Sequence, residues 1–316
     1  METKKSALLI SFSPALDSVV ILNEPLRAGG VHRVIKEKIT FGGKAINMAK
    51  VLRANRIAVT VAGIIGEDYC EAFYSYLKGE GISARFFSVP YPTRKNIMIK
   101  DSAGREFKIN YPAFPSLKLP FQKIKKFVEE IAAKHSVVIL SGSLPDGMPP
   151  ETYALLIEML KRDNKFVVLD TSGTPFKIAV NKAPNIIKPN MEEFSEICSL
   201  PLSGRKALIG AIRRFSSAIE VVIVSAGKAG AFFGHKNMVW HAIPPAIEPK
   251  DTTGSGDYLL GQFCAGFFND GRVLNEKTMA MAVAAGTACA EVEATPFIKK
   301  SRILELARHV VVKRIS

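Results

Sequence analysis

Cysteine is scarce in this sequence: Cys70, Cys198, Cys264 and Cys289 are the only four in 316 residues, and they match neither a Cys-x-x-Cys pair nor a dense disulfide framework. That excludes a small disulfide-stapled fold and suits a reducing, cytoplasmic setting. None of the five histidines stands at metal-ligand spacing with another, which argues against a histidine-bound metal. No uninterrupted apolar run reaches the ~20 residues that a membrane-spanning helix needs. The apolar run after Lys4 and Lys5 is cut by Pro14 and Asp17 before a signal peptide could develop, so a first β-strand is expected there. Internal repeats, low-complexity tracts and linkers are missing, as is the Gly-x-x-x-x-Gly-Lys-Ser/Thr spacing of a Walker A loop.

What remains is an ordinary globular composition, 47% hydrophobic and 23% charged, at a length that fits one principal domain, 1–316. The formal charge of +14 is spread along the chain. Its densest group, Lys299, Lys300, Arg302, Arg308, Lys313 and Arg314, reads as the solvated face of an amphipathic helix rather than a nucleic-acid arm. Neither nucleic acid nor membrane is expected as a partner, whereas small anionic ligands suit a basic protein.

From about residue 130 onward, β-branched runs at 137–140, 166–170, 185–188 and 221–225 alternate with longer helical patterns, as in βα units. Each run ends in a polar or glycine-containing turn, and in an open parallel sheet the ligand lies beyond the carboxyl ends of the strands. Residues 58–63 are expected to form another core strand. The segments 31–41 and 96–111 alternate like a half-exposed antiparallel sheet, predicting a small flap built from about 17–41 and 90–112. Its edge strands could pair two subunits into a homodimer.

Two glycine-to-helix junctions carry the chemistry. In Asp251-Thr-Thr-Gly-Ser-Gly-Asp257, Gly254 and Gly256 let free N–H groups at a helix start converge on one anion around Ser255. A transferring phosphoryl group gains most from such a cradle, and Asp257 would accept the proton of an attacking hydroxyl. In Phe41-Gly-Gly-Lys-Ala-Ile-Asn47, Gly42 and Gly43 allow close approach of backbone to ligand, and Asn47 can bond sugar hydroxyls. Asp17, just after the first strand, could hold two hydroxyls at once. Taken singly, each of these also fits an ordinary turn or cap.

These motifs occur in order with Thr93-Arg-Lys-Asn-Ile97, Leu140-Ser-Gly-Ser-Leu-Pro145, Lys188-Pro-Asn-x-Glu-Glu193 and Val224-Ser-Ala-Gly227. The ordered set resembles the ribokinase-like superfamily of sugar kinases and, within it, the phosphofructokinase-B family. The resemblance implies an α/β fold of three layers, with a mostly parallel central sheet and a small β-sheet lid. It also implies that Asp257 is the base and that Gly254, Ser255 and Gly256 form the anion hole. Asp17, Gly42, Gly43 and Asn47 would contact sugar hydroxyls, and Arg94 and Ser143 would grip the phosphate already on the substrate, joined by Lys44 and Arg33. By the same resemblance, Lys188, Asn190, Ser225, Gly227 and Gly230 contact the nucleotide, while Asn190 and Glu193 organise hydrated Mg²⁺. The implied cofactors are ATP and Mg²⁺.

As isolated residues, Asn190 also fits a helix cap, Glu193 a first-turn acid and Ser143 a turn. Ser255 stands where Ala is usual in the family, Ala45 where Gly is common, and Tyr258 where a small residue is frequent. His32 is expected at the surface, with contact to a substrate phosphate as the other reading, and Trp240 in packing.

The implied activity is phosphorylation of a phosphorylated ketohexose, with fructose 1-phosphate, attacked through its 6-hydroxyl, as first choice. Tagatose 6-phosphate and fructose 6-phosphate, each accepting at the 1-hydroxyl, are the alternatives. A catalytically weak sugar-phosphate sensor is the remoter one.

Overall fold

The computed structural model describes residues 6–114, 117–198, 204–292 and 298–316. Ten strands form one sheet, in the order Val311–Arg314, Met238–Ile243, Ala231–His235, Val221–Ser225, Ile186–Ile187, Phe166–Asp170, Val137–Ser141, Ser6–Ser11, Ala58–Gly66 and Ser83–Val89. The seven strands from Val221–Ser225 to Ser83–Val89 run parallel, and the other three extend the sheet antiparallel. The parallel strands are near-continuous apolar runs because both sheet faces are covered. Leu8, Ile10, Val138, Leu140, Val167 and Leu169 enter one core, under helices that include Phe121–Ala132, Thr152–Arg162 and Arg205–Ser216. Their neighbours Ala7, Leu9, Val137, Ile139, Phe166 and Val168 enter the opposite core, under Lys44–Ala54, Cys70–Gly79, Ser255–Asn269 and Glu276–Ala290. The result is the expected three-layer α/β architecture.

A separate sheet of four strands has the order Val34–Gly42, Ala15–Leu22, Arg94–Lys100, Glu106–Asn110. Residues 31–33 lie outside its strands, and the stretch 96–111 is divided by a turn. Asp101 closes that turn, its carboxylate accepting from the N–H groups of Ala103 and Arg105 and from Arg105 Nε.

The C-terminal basic stretch differs from expectation. It is a helix, Lys300–Ala307, followed by the edge strand Val311–Arg314, with Arg314 opposite Trp240. The β-branched run 310–312 favours an extended chain over one more helical turn. Arg302 does not simply face water either, since its guanidinium pairs with Glu291 and Glu305. Among the described residues no helix is long and apolar enough to cross a membrane, and all four cysteines are free.

Candidate active site

Ser13, Ser143, Asp170 and Lys188 stand at or just beyond the carboxyl ends of four neighbouring parallel strands, and the helix Ser255–Asn269 begins against Lys188. Gly254 caps that helix with φ +81°, a left-handed conformation open to glycine at little cost. The N–H groups of Ser255 and Asp257 turn back onto Thr252 O and Gly254 O. Those of Gly254 and Gly256 have no hydrogen-bond partner among the described residues, so alternate amides at a helix start stay free for an anion.

Asp257, on the first turn, is 7% exposed. Its Oδ2 accepts 2.9 Å from Asn47 Nδ2, across 210 residues of sequence. Burial pushes its carboxyl up to about 6; the Lys44 ammonium opposes this rise and the nearby Asp170 carboxylate adds to it. Asp170 is buried as well, yet Lys188 and Lys44 hold it below the usual carboxylate range. Its Oδ1 lies 3.2 Å from Lys44 Nζ and 3.4 Å from Lys188 Nζ. Burial alone would depress the Lys44 ammonium, but Asp170, Asp257 and Glu193 raise it on balance. Two buried oxygens here, Asp170 Oδ2 and Asn47 Oδ1, have no protein partner, which leaves them with unused hydrogen-bonding or ligating capacity. A methyl group at Gly256 would lie 3.1 Å from Lys188 Nζ, so this lysine abuts the amide cradle.

A second cluster lies on the small sheet. Asn96 Nδ2 donates to Asp17 Oδ1 at 2.7 Å, Arg94 Nε to Asn96 Oδ1 at 3.1 Å, and Arg94 Nη1 to Ser143 Oγ at 3.3 Å. Ser13 Oγ completes the chain, 3.0 Å from Ser143 Oγ. Burial raises Asp17 against the opposing pull of Asn96 and Arg94. The clusters meet at the helix Lys44–Ala54. A methyl at Gly42 would sit 1.9 Å from Asp17 Oδ2, and Gly43, with φ +113°, caps the helix that presents Lys44 and Asn47.

At the neighbouring strand ends, Asn190 and Glu193 form a reciprocal capping box. Asn190 Oδ1 accepts from Glu193 N and Glu193 Oε2 from Asn190 N, both at 2.8 Å. Ser225 bridges to Asn190, with its N–H donating to Pro189 O at 3.0 Å. Gly227 and Gly230 flank the next turn, and a methyl at Gly230 would meet Ala242 O at 2.0 Å. Arg33 is exposed and makes no hydrogen bond or ion pair with these residues. His32 is not a free surface residue: its side chain is 11% exposed, with Nδ1 3.3 Å from Glu24 Oε1. Tyr258 packs among Val51, Ala284, Ala285, Ala288 and Ile303, so its bulk enters the hydrophobic interior.

Asp170, Asn96 and Ser13 escaped the sequence reading as site residues. Asn96 lies inside the quoted Thr93–Ile97 motif and Asp170 ends the run 166–170, but no spacing rule marks a carboxylate between two lysines that arrive from a helix start and from another strand end.

The sequence profile of the pfkB family of carbohydrate kinases matches residues 11–296, a span holding every residue of both clusters. The chain belongs to this family. As a pfkB family member it is a sugar kinase, a phosphotransferase with an alcohol group as acceptor. Among similar family proteins, the 1-phosphofructokinase of Vibrio cholerae is 31% identical over 263 residues, which span 83% of this chain and 83% of that protein. The 1-phosphofructokinase of Escherichia coli K12 is 29% identical over 276 residues, 87% of this chain and 88% of that protein. The crystal structure of phosphofructokinase-2 from Escherichia coli superposes with a TM-score of 0.88 over 96% of this chain and 99% of that one; at 22% identity this speaks to the fold alone.

Proposed function

We propose that this kinase transfers the terminal phosphoryl group of ATP to the 6-hydroxyl of fructose 1-phosphate, giving fructose 1,6-bisphosphate and ADP. The observation that carries the reading is the Asn47–Asp257 hydrogen bond. It ties the buried carboxylate beside the free amides to the helix whose start, at Gly42, abuts Asp17. Base and phosphoryl cradle, on the helix Ser255–Asn269, are thus linked through Asn47 to the helix Lys44–Ala54, which starts beside the sugar grip. The curated relatives named above, both 1-phosphofructokinases, support this choice of sugar.

In this mechanism Arg94 and Ser143 hold the phosphate on carbon 1, while Asp17 and Asn96 take ring hydroxyls. The 6-hydroxyl oxygen forms its bond to the terminal phosphorus in line with the breaking bond to ADP. Its proton passes to Asp257, and the amides of Gly254 and Gly256 take up the negative charge. Lys188 and Lys44 add positive charge at the same edge, and Asp170 fixes where their ammonium groups sit.

The residues fit a magnesium-bound nucleotide. The unpartnered Asp170 Oδ2 and the Glu193 carboxylate supply the hard oxygen donors that Mg²⁺ or its water shell takes. Bound there, Mg²⁺ would neutralise phosphate charge. Asn190 spends its oxygen on the cap, which leaves its Nδ2 for the nucleotide alongside Ser225 and Gly227.

We further read the small sheet as a lid on a single kinase domain working in a reducing, cytoplasmic setting, and the chain as a homodimer. Pleat parity places Ser18, Ile39, Ile97 and Ile109 on the lid face opposite Asp17, and Ile39 and Ile109 are 54% and 48% exposed. Burying that apolar face against a second copy removes it from water.

The test is steady-state ADP release with fructose 1-phosphate, tagatose 6-phosphate and fructose 6-phosphate. Fructose 1-phosphate should give a kcat/KM at least tenfold above the other two. A higher value for either competitor reverses the acceptor end, and no turnover with any of the three sinks the reading.

A further inference from the structure

Lys108 lies on the outer strand of the small sheet, outside every quoted motif. In the register of that sheet, Asn96 stands opposite Asn110, Met98 opposite Lys108 and Lys100 opposite Glu106. Residues directly opposite in a ladder point to the same face, and faces alternate with period two. Asn96 reaches Asp17 and therefore marks the face toward the sugar grip, so Lys108 belongs to that face. Its Nζ crosses the cleft to within 3.5 Å of Thr253 Oγ1. Thr253 is the residue before Gly254, and its N–H donates to the buried Asp251 carboxylate at 2.9 Å. The rim of the amide cradle is thus a braced turn, with a cation from the lid resting on it.

Among the described residues no carboxylate pairs with Lys108, and its contact is a neutral hydroxyl at the long end of hydrogen-bond distance. Lysines on edge strands also discourage unwanted strand pairing. That role requires no particular face and no reach across the cleft. A hydrated ammonium positioned beside an anion site exchanges a weak hydroxyl contact for a phosphate oxygen once the site fills, and its effect grows as the lid excludes water.

We propose that Lys108 is a lid-borne phosphate ligand that leaves Thr253 to contact the terminal phosphate of the bound nucleoside triphosphate, making closure sensitive to whether that phosphate is present. This inference rests on the phosphoryl-transfer reading above. Lys188 approaches the cradle from the sheet at Gly256, and Lys108 approaches from the lid at Thr253, so the terminal phosphate would be held from two sides.

The experiment compares binding of a non-hydrolysable ATP analogue and of ADP by calorimetry, each with saturating fructose 1-phosphate, for wild type, Lys108→Met and Lys108→Arg. Lys108→Met should weaken the triphosphate analogue about tenfold and change ADP less than twofold, and Lys108→Arg should stay within about threefold of wild type for both. An equal loss for triphosphate and diphosphate would assign Lys108 a merely structural role, and no loss for either would remove it from the site; both overturn the proposal. If wild type fails to phosphorylate any sugar phosphate, the proposed function falls, while the contrast between triphosphate and diphosphate still judges Lys108 by itself.

Discussion

The carboxyl of Asp257 links two properties that can be measured separately. Only its deprotonated form accepts a proton, so with a folded-state value of about 6, turnover should rise with pH through that region and level off above it. Stability has the opposite slope. Between the ordinary carboxylate value of 3.8 and about 6, the folded chain holds a proton that the unfolded chain has released, so stability falls as pH rises through this window. Asp257→Asn keeps an acceptor for Asn47 and removes the buried charge. It should lower kcat by about 10²-fold or more while sparing nucleotide binding. At pH 8 it should be more stable than wild type, by on the order of 1–3 kcal/mol. Near-normal turnover in this variant would remove Asp257 from the base role. Gly42→Ala acts on the other cluster. Its methyl would displace the Asp17 carboxylate, so the KM for the sugar phosphate should rise at least about tenfold, with the KM for ATP little changed.

At the scale of elements, the helix Met191–Cys198 shows how one pair of residues can serve both fold and site. The box formed by Asn190 and Glu193 satisfies amides at that helix start, so Asn190→Ala should cost about 1 kcal/mol in chemical denaturation. Glu193→Gln keeps an oxygen for the Asn190 N–H and loses only charge. Its stability should stay near wild type, while the Mg²⁺ concentration needed for half-maximal turnover rises severalfold. A variant with normal Mg²⁺ dependence would reduce Glu193 to a cap. Gly230 carries a different demand: any β-carbon there meets Ala242 O, and φ is +88°. Gly230→Ala should therefore lower the melting temperature sharply, and weak nucleotide binding in that variant would report misfolding rather than a lost contact.

At the scale of the whole molecule, the proposed homodimer packs the exposed Ile39 and Ile109 of the small sheet against a second copy. Sedimentation should give about twice the 34.5 kDa chain mass, and Ile39→Glu combined with Ile109→Glu should shift the protein to monomer. An unshifted variant would move the interface elsewhere. At this scale the limits of sequence reading also become visible. The strands 166–170 and 221–225 were legible as apolar β-branched runs because a doubly covered parallel sheet imposes that composition directly. At the basic C-terminus the helical expectation holds for Lys300–Ala307, with Ile303 and Leu306 buried, and fails for Val311–Arg314, because its valines favour an extended chain and find a pairing partner in Met238–Ile243.

Glycine positions, the polar turns after apolar runs and the order of the motifs are local properties, and the amino-acid sequence alone determined them and, through them, the family. The buried lysine–carboxylate arrangement around residue 257, the Arg94–Ser143 clasp and the reach of Lys108 were decided only by the tertiary structure. Each joins chain segments that sheet topology brings together, and the electrostatics of a buried charge depend on neighbours in space rather than neighbours along the chain.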